Sequence, residues 1–217
     1  MRGSMALSAM ATYTWSKATD FGWTQDICCQ QDINNLAAEK GLASQDQRHR
    51  FITNVLYDLP FGRAQKGLVN KILGGWRSGA LLIISSGFPG NPAVSGNLDN
   101  VPDNTDRPDR IGNGNVSNPT PDKWWDIAAF RKQAAFTFCN SGRNVLTGHG
   151  TFNIDFVTSK ETRIGERKRV EFRAEFFNLT NTPNFGQPAA DISNASFGKI
   201  TSARTPRQMQ LGLKLYF

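Results

Sequence analysis

Few side chains in this sequence have the type and spacing that catalysis needs. There are two histidines, His49 and His149, and three cysteines, Cys28, Cys29 and Cys139. Cys139 and His149 would form a thiol–imidazole pair only if the fold joined them, since a nucleophile needs its base within hydrogen-bond reach. No Gly-x-Ser-x-Gly elbow occurs, so an α/β-hydrolase is unsupported. Ser85-Ser86-Gly87 and Asn140-Ser141-Gly142 place serines beside glycines, and turns account for both. Four aspartates, Asp99, Asp103, Asp106 and Asp109, form an acidic string. Oxygen-rich loops of this kind bind calcium, but the EF-hand glycine and closing glutamate are missing. They are weak calcium candidates, and the surrounding prolines and arginines suit an exposed loop. Glu171, Arg173 and Glu175 look like a paired-carboxylate site. One strand face turned to water explains them better, with cross-strand ion pairs to Lys160, Lys214 or Asp155.

No Gly-rich phosphate loop or dinucleotide fingerprint is present, so no cofactor is expected. The chain carries 25 Lys and Arg against 18 Asp and Glu, a net charge of +7. The basic residues are scattered apart from the run Arg163 to Arg169, and no nucleic-acid-binding motif accompanies them. Nucleic acid is not an expected partner. The cysteine pattern has no metal or disulfide framework; Cys28 and Cys29 read as loop thiols or an outward-facing pair.

The elements that must position these residues are strands. Six segments alternate apolar and polar residues with period two. They are Ala9 to Lys17, Arg50 to Leu59, Trp76 to Gly87, Phe152 to Lys160, Val170 to Phe176 and Arg207 to Phe217. In the fifth, Val170, Phe172, Ala174 and Phe176 oppose Glu171, Arg173 and Glu175. In the sixth, Met209, Leu211, Leu213, Leu215 and Phe217 oppose Gln208, Gln210, Gly212, Lys214 and Tyr216. Each segment is near the roughly 9–11 residues of a tilted membrane strand. The longest apolar run, Ala80 to Ile84, is far too short for a spanning helix of about 20 residues.

The connections alternate long and short. Residues 18–49, 88–151 and 177–206 are long; residues 60–75 and 161–169 are short. In an up-and-down meander this puts all long loops on one edge, the asymmetry of outer-membrane barrels. The expected fold is therefore all-β, an antiparallel up-and-down meander of about six long strands, part of a transmembrane β-barrel. Residues 9–217 form that barrel segment. Residues 1–8 lack the apolar core of a signal peptide and resemble a vector-encoded leader. Within the longest loop, Trp124 and Trp125 are the aromatics on which a ligand would stack. With Phe130 they also suggest a packed sub-structure containing a short helix over 122–132, started by Pro121 and Asp122.

An ordered set of motifs then resembles one family. Tyr13-Thr14-Trp15-Ser16-Lys17, Arg48-His49-Arg50-Phe51 with Leu59-Pro60-Phe61-Gly62, and Gly74-Gly75-Trp76 with Ser86-Gly87-Phe88-Pro89 come first. Arg107-Pro108-Asp109-Arg110, Asn140-Ser141-Gly142-Arg143-Asn144, Phe172 to Gly186, Phe197-Gly198-Lys199-Ile200 and Pro206 to Gln210 follow. Together they resemble the barrel of TonB-dependent outer-membrane receptors of the Oar-like type. Cys28-Cys29 depart from that pattern, as does His149, which stands where a proline is expected.

The resemblance implies a barrel of about 22 strands with an N-terminal plug, of which this chain would be the C-terminal part. It implies uptake of a bulky nutrient across the bacterial outer membrane, with energy from TonB delivered through a plug that this chain does not contain. It also implies that the barrel-assembly machinery reads Met209, Leu211, Leu213, Leu215 and Phe217, and that outer-membrane lipid surrounds the strands. A self-contained β-rich binding protein is the second reading and a small hydrolytic enzyme the third. An open six-stranded sheet would leave two edges and an apolar face uncovered, so detergent dependence or self-association is expected.

Overall fold

Period-two alternation over six segments dictates long strands with one apolar and one polar face. A computed structural model shows this arrangement and describes residues 6–22, 30–32, 34–60, 67–101, 106–165 and 167–217. The long strands are β1 (Ala6–Trp15), β2 (His49–Asp58), β3 (Trp76–Ser85), β4 (Thr151–Ile164), β5 (Lys168–Phe177) and β6 (Gln208–Tyr216). They form one six-stranded sheet in sequence order, and every neighbouring pair is antiparallel. The all-β meander holds. The expected segments meet their strands with ends displaced by a few residues, most of all at β4 and β1. Cys28 and Cys29 lie outside the described residues.

The register decides what each face carries. Leu7 pairs with Tyr57, Ala9 with Val55 and Tyr13 with Phe51. Phe51 pairs with Ile84, Ile84 with Phe152 and Ala80 with Phe156. Phe156 pairs with Phe176, and Phe176 with Met209. One side of the sheet is therefore apolar across all six strands. Its opposite side carries Asp155, Ser159 and Glu161 on β4, Glu171, Arg173 and Glu175 on β5, and Gln210 and Lys214 on β6. Leu211 and Leu213 are 70% and 73% exposed, so no described residue covers the apolar side at β6. A slip of one residue would exchange the two faces, so the alternation itself pins the register.

Lys160 corrects one expectation. Pairing with Trp76 places it on the apolar side, so it cannot meet the carboxylates of β5. Parity alone forbids the pair. Arg173 instead bonds Glu175 on its own strand at 2.8 Å. Asp155 accepts from Asn153 and from the Asn178 backbone N–H.

The described residues of the three long connections are not irregular. They form a cap at one edge. The first two connections contain four two-stranded ladders, 19–20 with 41–42, 89–90 with 146–147, 109–110 with 130–131 and 115–120 with 123–125, and the third carries the single bridges Ala93–Asp191, Phe185–Ala203 and Ala189–Phe197. The helix expected over 122–132 is absent. Lys123–Trp125 is a strand and Ile127–Ala129 a single 3₁₀ turn, capped by Asp126 accepting from the Ala128 N–H. The hairpin brings Trp124 and Trp125 together on Thr147, whose carbonyl accepts from both indole N–H groups. Trp125, Ala129, Phe130, Leu146 and Phe197 make the cap's buried apolar core. The opposite edge has the β4–β5 turn and the connection from β2 to β3, which contains helix α1 (Leu68–Leu73).

Candidate functional site

Four charged residues staple the cap together. Arg107 is buried and donates two hydrogen bonds to Glu39, at 2.7 and 2.9 Å, and a third to the Ser141 carbonyl at 3.1 Å. Arg143 ion-pairs with Asp20 and donates to the Glu39 backbone carbonyl at 3.1 Å. Asn144 adds a bond to the Leu42 carbonyl at 2.6 Å. The first and second long connections are thus locked together by charge-assisted bonds in a site shielded from water. This corrects the exposed-loop reading. Asp106, Arg107 and Pro108 are buried, because each charge has a specific partner or backbone donor.

Asparagines tie the third connection to the sheet. Asn184 accepts from the Phe152 N–H and donates to its carbonyl, at 2.8 and 2.9 Å. Its side chain thereby completes the two bonds that a neighbouring strand would make there. Asn178 and Thr182 close a local turn through two bonds of 3.0 Å. The motifs that carry the family resemblance, around 107–110, 140–144 and 178–186, therefore act as structural clamps in this fold.

The calcium candidates do not form one cluster: Asp99 and Asp106 are neighbours, and Asp109 has other partners. Asp109 accepts from the Asn140 N–H and faces Arg131 at 3.5 Å. Asp99 accepts from the Val101 N–H. Asp106 accepts from the Leu98 N–H, and Asp103 lies outside the described residues. Among the described residues no three acidic, histidine or cysteine side chains gather as a metal site would require.

Burial pushes the Asp106 carboxyl above its ordinary range, the neighbouring Asp99 charge adds to this, and the Leu98 N–H opposes it. The folded chain therefore keeps that proton to higher pH than the unfolded chain does. The stability Asp106 contributes is complete below the ordinary aspartate value of about 3.9 and is lost as pH rises through the folded value. Asp106→Asn should flatten that decline and leave the cap more stable at neutral pH, as read from denaturant midpoints between acid and neutral pH.

Cys139 and His149 are held in different surroundings. Burial pushes the Cys139 thiol up, with the Arg107 guanidinium opposing, and its sulfur contacts the Ser141 carbonyl. A raised thiol is a poor nucleophile. His149 sits between Trp124 and Phe185, with ring centres 5.1 and 5.0 Å away. His49 stacks on Tyr13 and shares a hydrogen bond of 2.9 Å with its hydroxyl.

Among the described residues, two concavities are candidate sites. The first, about 470 Å³, is an open groove lined by Ser44, Gln45, Phe88, Pro89, Gly90, Asn91, Trp125, Gln187, Pro188 and Ala190. All three long connections contribute to it. It has no charged lining residue, and it sets amides and a hydroxyl around aromatic and prolyl surfaces. That combination suits a neutral ligand with both an apolar face and hydrogen-bonding groups. Trp125 is only 2% exposed and forms part of the floor; Trp124 packs against the cap core. Sequence pattern could not find this groove, since its lining comes from residues far apart in the chain.

Gly90 belongs to the floor, and a Cβ there would overlap the Trp125 ring. Gly90→Ala should cost about 1–3 kcal/mol by overpacking, measured as a lower unfolding midpoint of the tryptophan signal. The second concavity, about 210 Å³, lies on the polar side of β5 and β6 and is lined by Glu171, Arg173, Glu175, Gln210, Gly212 and Lys214. Nearby, the Tyr216 hydroxyl donates to Glu171 at 2.9 Å, and the Arg169 guanidinium lies 4.2 Å from the Tyr216 ring centre.

A sheet with one continuous uncovered apolar face, one charged face and all long connections at one edge has the physical form of a membrane-barrel wall. Comparison with protein families agrees. A family model described as "Outer membrane beta barrel domain" matches residues 2–210. Neither the curated proteins nor the solved structures yield a match. The chain belongs to the outer membrane β-barrel domain family.

Proposed function

We propose that this chain is the C-terminal part of a TonB-dependent receptor barrel, similar to the Oar-like type, that takes up a bulky nutrient. The observation that carries the reading is the cap. Three connections from three different strand pairs fold into one body at the edge opposite the short turns, and together they line one groove. Such a body is suited to capturing a ligand outside the cell and presenting it to the lumen. The carboxylates and amides of β5 and β6 supply a polar wall along the path. Further strands would pair with β1 and β6 to close the barrel.

The test uses the complete gene in its host. Cells should accumulate fluorescent oligosaccharide or oligopeptide probes only while TonB and the proton-motive force are intact. Accumulation that persists after both are removed would sink the transporter reading.

The closing strand has a proposed partner as well. Met209, Leu211, Leu213, Leu215 and the terminal Phe217 fit an aromatic-ended signal for the barrel-assembly machinery. Removing Phe217 should lower the fraction of protein assembled in the outer membrane while leaving its synthesis rate unchanged. Unaltered assembly would count against that role.

A further inference from the structure

At the short-turn edge, one feature does not follow from barrel closure. Helix α1 exposes three large aliphatic side chains within one and a half turns, Leu68 at 75%, Ile72 at 58% and Leu73 at 55%. Leu68 and Ile72 stand four residues apart and share one side of the helix. A turn surrounded only by water has no reason to gather such side chains, and clustered apolar exposure marks an interaction surface.

The position of α1 identifies what it meets. Trp76 and Lys160 are register partners on the apolar side of the sheet. The Trp76 indole N–H donates to the Ile72 carbonyl at 3.2 Å. The Lys160 ammonium donates to the carbonyls of Ile72 and Gly74. It also lies 5.3 Å from the centre of a Trp76 ring, whose edge meets Phe172 on the same side. The carbonyls at the helix C-terminal end are therefore held from the apolar side of the sheet. An indole and a snorkelling lysine that satisfy backbone carbonyls are the side-chain chemistry of a lipid–water boundary. Phe172, beside Trp76, pairs with Leu213 on the same apolar side.

We propose that α1 is an interfacial anchor, lying with Leu68, Ile72 and Leu73 in the headgroup–acyl boundary of the periplasmic leaflet and tied to the barrel wall by Trp76 and Lys160. Its partner is glycerophospholipid. An interfacial helix buries its apolar side roughly 5–10 Å into that boundary. The anchor fixes the height of the short-turn edge and shields the carbonyls between α1 and β3. It rests on the membrane face of the sheet and does not depend on TonB coupling or on any transported substrate.

The test places single environment-sensitive fluorophores on the full chain in phosphatidylethanolamine–phosphatidylglycerol vesicles, with Cys28, Cys29 and Cys139 replaced by serine. Label sites are Ile72→Cys, Leu211→Cys as the lipid-facing reference and Gly165→Cys in the β4–β5 turn as the water-facing one. The label at 72 should be blue-shifted and should lose emission to shallow brominated lipids, at a depth between the two references. Leu68→Ser combined with Leu73→Ser should then red-shift that label while the label at 211 stays unchanged. A label at 72 as water-exposed as the one at 165, or one shielded by cross-linking to a second copy, would overturn the proposal.

Discussion

Arg107→Met should destabilise the cap by about 3–5 kcal/mol, because it leaves the Glu39 carboxylate buried without its cation. Arg107 and Glu39 side chains are 3% and 1% exposed, so water does not replace the lost bonds. The Ser141 carbonyl loses its guanidinium donor as well. The loss should be confined to the cap. The emission of Trp124 and Trp125 should report unfolding at lower denaturant, while the far-ultraviolet strand signal changes little.

The double variant Arg107→Met with Glu39→Leu should recover much of that loss. Removing both charges is close to neutral when apolar side chains fill the volume, whereas removing one is not. A single variant within about 0.5 kcal/mol of the parent, the range of an ordinary surface substitution, would mean that the pair is solvated and the cap loosely held. Protease sensitivity within 86–150 gives an independent reading of the same event.

Leu211→Arg should have the second large effect, about 2–4 kcal/mol if that position faces the middle of the membrane. Leu211 pairs with Ala174 on the apolar side, so a guanidinium there finds lipid and no carboxylate. Gln210→Arg, one residue away, should be nearly neutral. Gln210 pairs with Glu175 on the charged side, where an arginine gains a partner. Unfolding by guanidinium in lipid vesicles would separate the two variants. Equal costs would mean that the two sides of β6 meet the same environment.

The sheet was legible in the sequence because its rule is local. Each strand meets two environments, and each residue reports its own side by its polarity. Even the least regular segment, with continuous apolar residues over Leu81 to Ile84, keeps the alternation, since Arg77, Gly79 and Ser85 share one parity and β2 and β4 hold it from both sides. Lys160 was misread as a partner of carboxylates on the other side, although parity alone assigns it to the apolar row.

The cap was illegible for the opposite reason. Arg107 finds Glu39 at a separation of 68 residues, and Arg143 finds Asp20 at a separation of 123. No period or spacing encodes such meetings, so their charges and prolines read as loop composition. The Trp124-Trp125 pair was ambiguous on its own. Adjacent aromatics suit a helix or a ribbon, and Thr147, more than 20 residues away, selects the ribbon by accepting from both indoles. The groove inherits this difficulty, since three connections must meet before it exists.

In a barrel wall the apolar side of this sheet faces lipid and its charged side faces water. Cysteine scanning of residues 208–216 in vesicles, with lipid-dissolved and water-soluble quenchers, tests it most directly. Labels at 209, 211, 213 and 215 should be quenched from the lipid, and those at 208, 210, 212 and 214 from the water, in strict alternation along β6. Quenching that rises and falls smoothly along the strand, or that comes from water at every position, would contradict the barrel-wall account.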